Sequence, residues 1–63
     1  MTPAQREALT WAIKQAQMKQ DVARQAANKS STAYGERIHR ADTEKFRGIT
    51  EALQSLLKGD SNA

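Results

Sequence analysis

Apolar positions along the chain recur at steps of three and four residues, the period of a helix rather than the alternation of a strand. From Pro3 to about Asn28 they form two adjoining stripes. Leu9, Ala12, Ile13, Ala16, Ala23 and Ala27 make one; Ala4, Ala8, Trp11, Met18 and Val22 make the other, with Gln15 among them. At about 100° per residue the two stripes together cover about 220°, against the ~100° needed by a helix with one neighbour. Arg6, Thr10, Lys14, Gln17, Asp21, Arg24 and Asn28 fill the remaining arc. A second periodic run carries Tyr34, Ile38, Ala41, Phe46, Ile49, Ala52, Leu53, Leu56 and Leu57. Its spacing is that of a coiled coil.

Local signals set the ends of these runs. Thr2, Pro3 and Gln5 fit a capping box with proline at the first helical position, where its missing N–H does no harm. Helix 1 is therefore expected over residues 3–28. Lys29, Ser30, Ser31 and Thr32 form a polar break, and their hydroxyls compete for backbone hydrogen bonds. Ser31 or Thr32 is expected to cap a second helix over 33–58, with Gly59 as its stop and 59–63 a frayed tail. One continuous helix through the break is the alternative. Folding back would place Leu53 near Leu9, Ile49 near Ala12 and Ile38 near Ala23, bulky against small. The fold class is thus all-α, a single-domain antiparallel two-helix hairpin. Such a hairpin leaves Trp11, Met18 and Val22 wet, and pairing of two copies into a four-helix bundle covers them.

Composition sharpens this picture. Of 63 residues, 38% are apolar, but 11 of these are alanine, so only 13 larger apolar side chains remain. A chain of this size buries only ~60% of its unfolded surface, which makes a lone fold marginal. A shared core resolves the shortage. There is no cysteine, which excludes disulfides and thiolate metal sites. Arg6, Glu7, Lys14 and Lys19 interrupt the first twenty residues, and no run approaches the ~18–20 apolar residues of a membrane span. A soluble, cytoplasmic chain with no membrane partner is expected.

Candidate chemistry is sparse. The one histidine, His39, has Asp42 one turn later and Glu36 three residues before it, but no third catalytic member. No enzyme activity, cofactor or metal site is expected. Net charge is +3, all of it in residues 1–30. In helix 2, Glu36, Arg40, Glu44, Arg47 and Glu51 alternate in sign as a solvated ladder. Asp42 and Lys45 fall within the apolar arc, where Lys19 of helix 1 can meet Asp42 and Lys45 can lie along Ala16 or Met18. With Arg37 and His39 they would line a polar notch near the turn end of a dimer.

The Met1-Thr2 opening, with Ala8, Leu9 and Ala12 at their spacing in helix 1, resembles the plasmid Rop family of RNA-binding homodimeric four-helix bundles. That family reads RNA through an aromatic on the outward face of its first helix. Here the face presents Thr10, Lys14 and Gln17, so the architecture is implied and the RNA function is not. In size and lack of catalytic groups the chain also resembles small helical-hairpin accessory proteins of phages and mobile elements, which bind and inhibit a host protein. The expected function is accordingly that of a non-enzymatic homodimer that binds and inhibits or modulates a host protein, defence components included. Trp11, Met18 and Val22 would be its apolar contacts, and Arg6, Lys14, Arg24, Arg37 and Arg40 its polar rim. The alternative is a Rop-like binder of nucleic acid or a signalling nucleotide on the basic side of helix 1.

Overall fold

A computed structural model of the chain describes residues 1–62, with side chains described through Gly59. Helix α1 spans Pro3–Lys29 and helix α2 spans Ala33–Asn62, with no other element among the described residues. The expected capping box is present. Thr2 Oγ1 accepts the Gln5 N–H at 3.1 Å, while the Gln5 side-chain carbonyl accepts the Thr2 N–H at 2.9 Å. Two of the donors that a helix start leaves without partners are satisfied in this way.

The break is a compact turn rather than a kink in one helix. Ser30 is extended, at φ −67° and ψ 134°, and its N–H donates to the Ala27 carbonyl at 3.3 Å. Thr32 then caps α2: its Oγ1 accepts the Gly35 N–H at 3.0 Å, and its carbonyl accepts the Glu36 N–H at 3.0 Å. Ser30 Oγ donates to the Thr32 carbonyl at 3.1 Å. Gly35 keeps room for this cluster, because a Cβ there would lie 2.5 Å from Ser30 Oγ and 3.0 Å from Thr32 Oγ1.

At the other end, Gly59 does not stop α2, which continues to Asn62. A glycine stop requires the left-handed conformation, and no glycine among the described residues has positive φ. Of the tail expected over 59–63, Ala63 lies outside the described residues.

The two helices meet along one seam each. On α1 the inward positions are Leu9, Ile13, Ala16, Gln20, Ala23 and Ala27, of which Ile13, Ala16, Ala23 and Ala27 are buried. On α2 they are His39, Thr43, Phe46, Thr50, Leu53 and Leu57, with Thr50 buried at 6% exposure. Both follow the alternating four- and three-residue steps of a coiled coil. The face of α2 expected inside is therefore only partly there. Phe46, Leu53 and Leu57 turn inward, whereas Tyr34, Ile38, Ala41, Ile49, Ala52 and Leu56 are exposed.

Threonine's dual character explains the exchange. Thr43 Oγ1 donates to the His39 carbonyl at 2.8 Å, and Thr50 Oγ1 to the Phe46 carbonyl at 2.9 Å. With the hydroxyls satisfied inside their own helix, burial leaves no unpaired polar group, and the γ-methyl remains to pack. Small side chains on α1 and short branched ones on α2 permit close approach of the axes, toward ~8 Å.

The result is a slab 46 × 15 × 11 Å, one helix thick. None of the described side chains is completely buried. Each helix has one neighbour, and both broad faces of the hairpin are open. Among the described residues, no helix is long and apolar enough to cross a membrane.

Candidate interaction surface

The two broad faces differ in chemistry. The first holds a groove of about 370 Å³ between the helices, lined by Gln15, Met18, Lys19, Val22, Ala23 and Ala26 of α1 and by His39, Asp42 and Phe46 of α2. Heptad spacing extends its α1 wall back from Gln15 to Trp11, Ala8 and Ala4. On α2, Ile38, Lys45, Ile49 and Leu56 lie on the same side of the inward seam as Asp42, by 100° per residue. Trp11 is 63% exposed, Met18 60%, Val22 67% and Leu56 60%. Ile38 and Ile49 are exposed as well. Large apolar side chains of both helices thus share one open face, well beyond the isolated exposed residues that any protein carries.

The opposite face holds a groove of about 430 Å³ lined by Gln20, Arg24, Arg40, Thr43, Glu44 and Arg47. Its three arginines are already ion-paired along their own helices. Arg24 meets Asp21 at 3.1 Å and Arg40 meets Glu36 at 2.9 Å. Arg47 bridges Glu44 at 3.2 Å and Glu51 at 3.4 Å. These pairs are exposed and contribute only ~0.3–0.5 kcal/mol each. Their larger effect is to spend the positive charge of this face locally.

The residues proposed for the polar rim are consequently divided. Arg24 and Arg40 lie on the ion-paired face, away from Met18 and Val22. Lys14 is exposed and, four residues before Met18, borders the apolar stripe. Arg37 is exposed, one turn before Ala41 on the outer side of α2, and Arg6 is half-buried near the start of α1. Met18 and Val22 line the first groove together, and Trp11 is exposed two turns before Met18 on the same helix.

Of the residues expected to line a polar notch in a dimer, two stand together in the single hairpin. His39 and Asp42 line the apolar groove beside Ala23 and Ala26, where Ile38 was expected to meet Ala23. Lys45 Nζ stands 5.8 Å from the ring centroid of Phe46, its helical neighbour. Lys19 Nζ approaches the same ring from α1, also at 5.8 Å, and among the described residues it makes no ion pair with Asp42. Phe46 therefore joins this site, and sequence reasoning placed it only in the core. The inward repeat 39, 43, 46, 50 and 53 was the signal for it, hidden because two of the five positions are threonine. Among the described residues, no cluster of three or more His, Cys, Asp or Glu side chains is placed to hold a metal ion.

The surface is thus a wide apolar strip crossed by one charged band, suited to covering by another surface of similar shape. Comparison with known proteins returned no matching family model, no matching curated protein and no matching solved structure.

Proposed function

We propose that the chain is a non-enzymatic, cytoplasmic binding protein that acts as a homodimer. In this reading two hairpins close their apolar faces on each other to form a four-helix bundle, and the bundle binds and modulates a host protein. That is the behaviour of the phage and mobile-element accessory proteins it resembles, and the partner is of the kind those proteins inhibit. One observation carries the reading: Met18 and Val22 of α1 line an open groove against Phe46 of α2, and Trp11, Ile38, Ile49 and Leu56 are exposed large apolar side chains whose helical spacing sets them beside it. Covering such side chains contributes ~1.5–3 kcal/mol each when burial is complete, a large gain for a hairpin whose own core is mostly alanine. The sparse chemistry of a chain with one histidine and no cysteine also favours binding over catalysis.

In the dimer, a host protein meets the ion-paired face and the outer Lys14 and Arg37. The nucleic-acid alternative draws less support, since Arg24, the basic residue of α1 on that face, is paired with Asp21.

Two measurements test the proposal. Light scattering coupled to size exclusion is expected to give twice the 7.0 kDa chain mass, and Trp11→Ala together with Ile49→Ala to return it toward the monomer. A monomeric wild type over the whole accessible concentration range would overturn the dimer. For the partner, Arg40→Glu with Arg47→Glu is expected to abolish co-purification of a defined host protein while the dimer mass persists. Tight retention of RNA, falling steeply with salt, would instead establish the alternative.

A further inference from the structure

We infer that the two copies meet with their turns at the same end, about a two-fold axis parallel to the helices, so that α1 of each copy lies against α2 of the other. This inference rests on the dimer reading above and adds the orientation.

The hairpin fixes which residues stand level with one another. Lys19 reaches Phe46 across the seam, and Ala23 and Ala26 share the groove with His39 and Asp42, so residues near 19 stand about level with those near 46 and residues 23–26 with 39–42. Because the helices are antiparallel, the same alignment sets Trp11 level with the turn from Ala52 to Leu56, and Ala8 level with Leu56. A two-fold axis parallel to the helices preserves level, so each α1 residue meets the partner's α2 at its own height. Ala8 then faces the partner's Leu56, Trp11 faces the partner's Ala52, and Ala26 faces the partner's Ile38. Small meets large at each of these heights, which lets the two surfaces interdigitate without voids. Met18 meets the partner's Ile49 between them.

Charge argues the same way. Lys19, His39, Asp42 and Lys45 form one band across the face, and the band lies nearer the turn than the free ends: Asp42 is far closer to Ala33 than to Asn62. With the turns at one end the two bands coincide, and Asp42 on α2 meets Lys19 on α1 of the other copy. With the turns at opposite ends and the faces fully overlapped, the band falls on the Ala52–Leu56 region, and Asp42 is covered by leucine without a counter-charge. A buried unpaired carboxylate is strongly unfavourable. Sliding the copies to bring band onto band sets Trp11 level with the partner's turn and uncovers Leu56. Only the same-end arrangement keeps both the apolar strip and the charged band matched.

The available area suits a second copy. The broad face measures 46 × 15 Å, on the order of 700 Å² in projection, close to the ~800 Å² per partner of a standard interface.

Spin labels on Ser31→Cys, at an exposed turn position, test the orientation by dipolar spectroscopy on the full chain, with mass measured in parallel. Same-end packing predicts a label–label distance of about 15–30 Å, the width of a bundle plus the label arms, both there and for Glu7→Cys near the free end, where a slid opposite-end pair would give more than about 40 Å. A distance near or above the 46 Å length of the hairpin would overturn the orientation while leaving the dimer standing. A monomeric mass would overturn both, and would leave the face to a different protein. A charge swap gives a second, independent readout. Asp42→Lys is expected to weaken dimerisation at least about tenfold, and adding Lys19→Asp to restore most of the loss. An Asp42→Lys variant that dimerises as tightly as wild type would count against the matched bands.

Discussion

The ammonium of Lys19 on α1 stands 5.8 Å from the centroid of the Phe46 ring on α2, and Lys45 reaches the same ring at the same distance. Phe46 is the largest side chain of the inward seam, only half-buried, and two cations stand over its π-system. Such contacts contribute ~0.5–1 kcal/mol at exposed sites. They also allow positive side chains to border an apolar groove, because their stems lie along it while their heads meet the ring.

Removing the ring is expected to cost more than removing either cation. Phe46→Ala should destabilise the fold by about 2–4 kcal/mol, below the full range for a completely buried ring because the residue is half-exposed. Lys19→Gln should cost about 0.5–1 kcal/mol. Chemical denaturation of both single variants and the double variant isolates the coupling. A coupling of zero would mean that Lys19 contributes through its stem alone.

Thr50 offers a substitution in the opposite direction. Its hydroxyl already bonds the Phe46 carbonyl 2.9 Å away, a group that the helix can satisfy without it. Thr50→Val places a methyl where the buried hydroxyl was, and should raise stability by about 0.5–1 kcal/mol. A fall in the thermal midpoint would show that the seam needs the hydroxyl.

Two glycines inside α2 should respond differently to alanine. A Cβ at Gly48 meets nothing within 4 Å, so Gly48→Ala should add about 0.5–1 kcal/mol through helix propensity. Gly35→Ala must displace the Ser30 hydroxyl from its bond to the Thr32 carbonyl, and should recover little of that gain. Equal stabilisation of the two variants in matched melts would show that the turn cluster contributes nothing.

The start of α1 can be probed separately. Thr2→Ala removes the acceptor for the Gln5 N–H and should cost about 1 kcal/mol, with faster amide exchange confined to the first turn. Loss of protection around Ala23 and Ala27 as well would mean that the cap stabilises the whole hairpin.

Trp11 reports on the open face directly. At 63% exposure its emission should be that of a solvated indole in dilute solution and shift to shorter wavelength as concentration rises. An emission maximum independent of concentration, in a sample whose mass changes, would place Trp11 outside the interface.

Much of the hairpin was legible from residue pattern. Thr2 and Gln5, Ser30 to Thr32 and the Glu36–Arg40 pair are local features, settled within one or two turns of chain. The inward face of α2 was not. Hydropathy ranks Ile38, Ile49 and Leu56 above Thr43 and Thr50, yet the alanine-lined face of α1 favours short branched side chains whose hydroxyls bond their own helix. That choice depends on the shape of the opposing surface, which a single helix's pattern does not contain. The division of Arg40 from the Trp11 stripe has the same origin, since turning α2 on its axis moves every residue around it, whereas Arg24 lies on the polar arc of α1 itself. Gly59 differs again: its residue type permits a stop, but only a left-handed φ would make one.

The 11 Å thickness of the hairpin bears on how long a copy survives. No peptide group in a slab one helix deep is shielded by more than a single layer of side chains. A solitary copy therefore offers both of its strands of backbone to proteases through small local openings, without global unfolding. Covering one broad face removes half of that access. Cellular turnover of this chain should accordingly fall as its broad face is occupied, so that abundance itself records how much of the chain has found its counterpart.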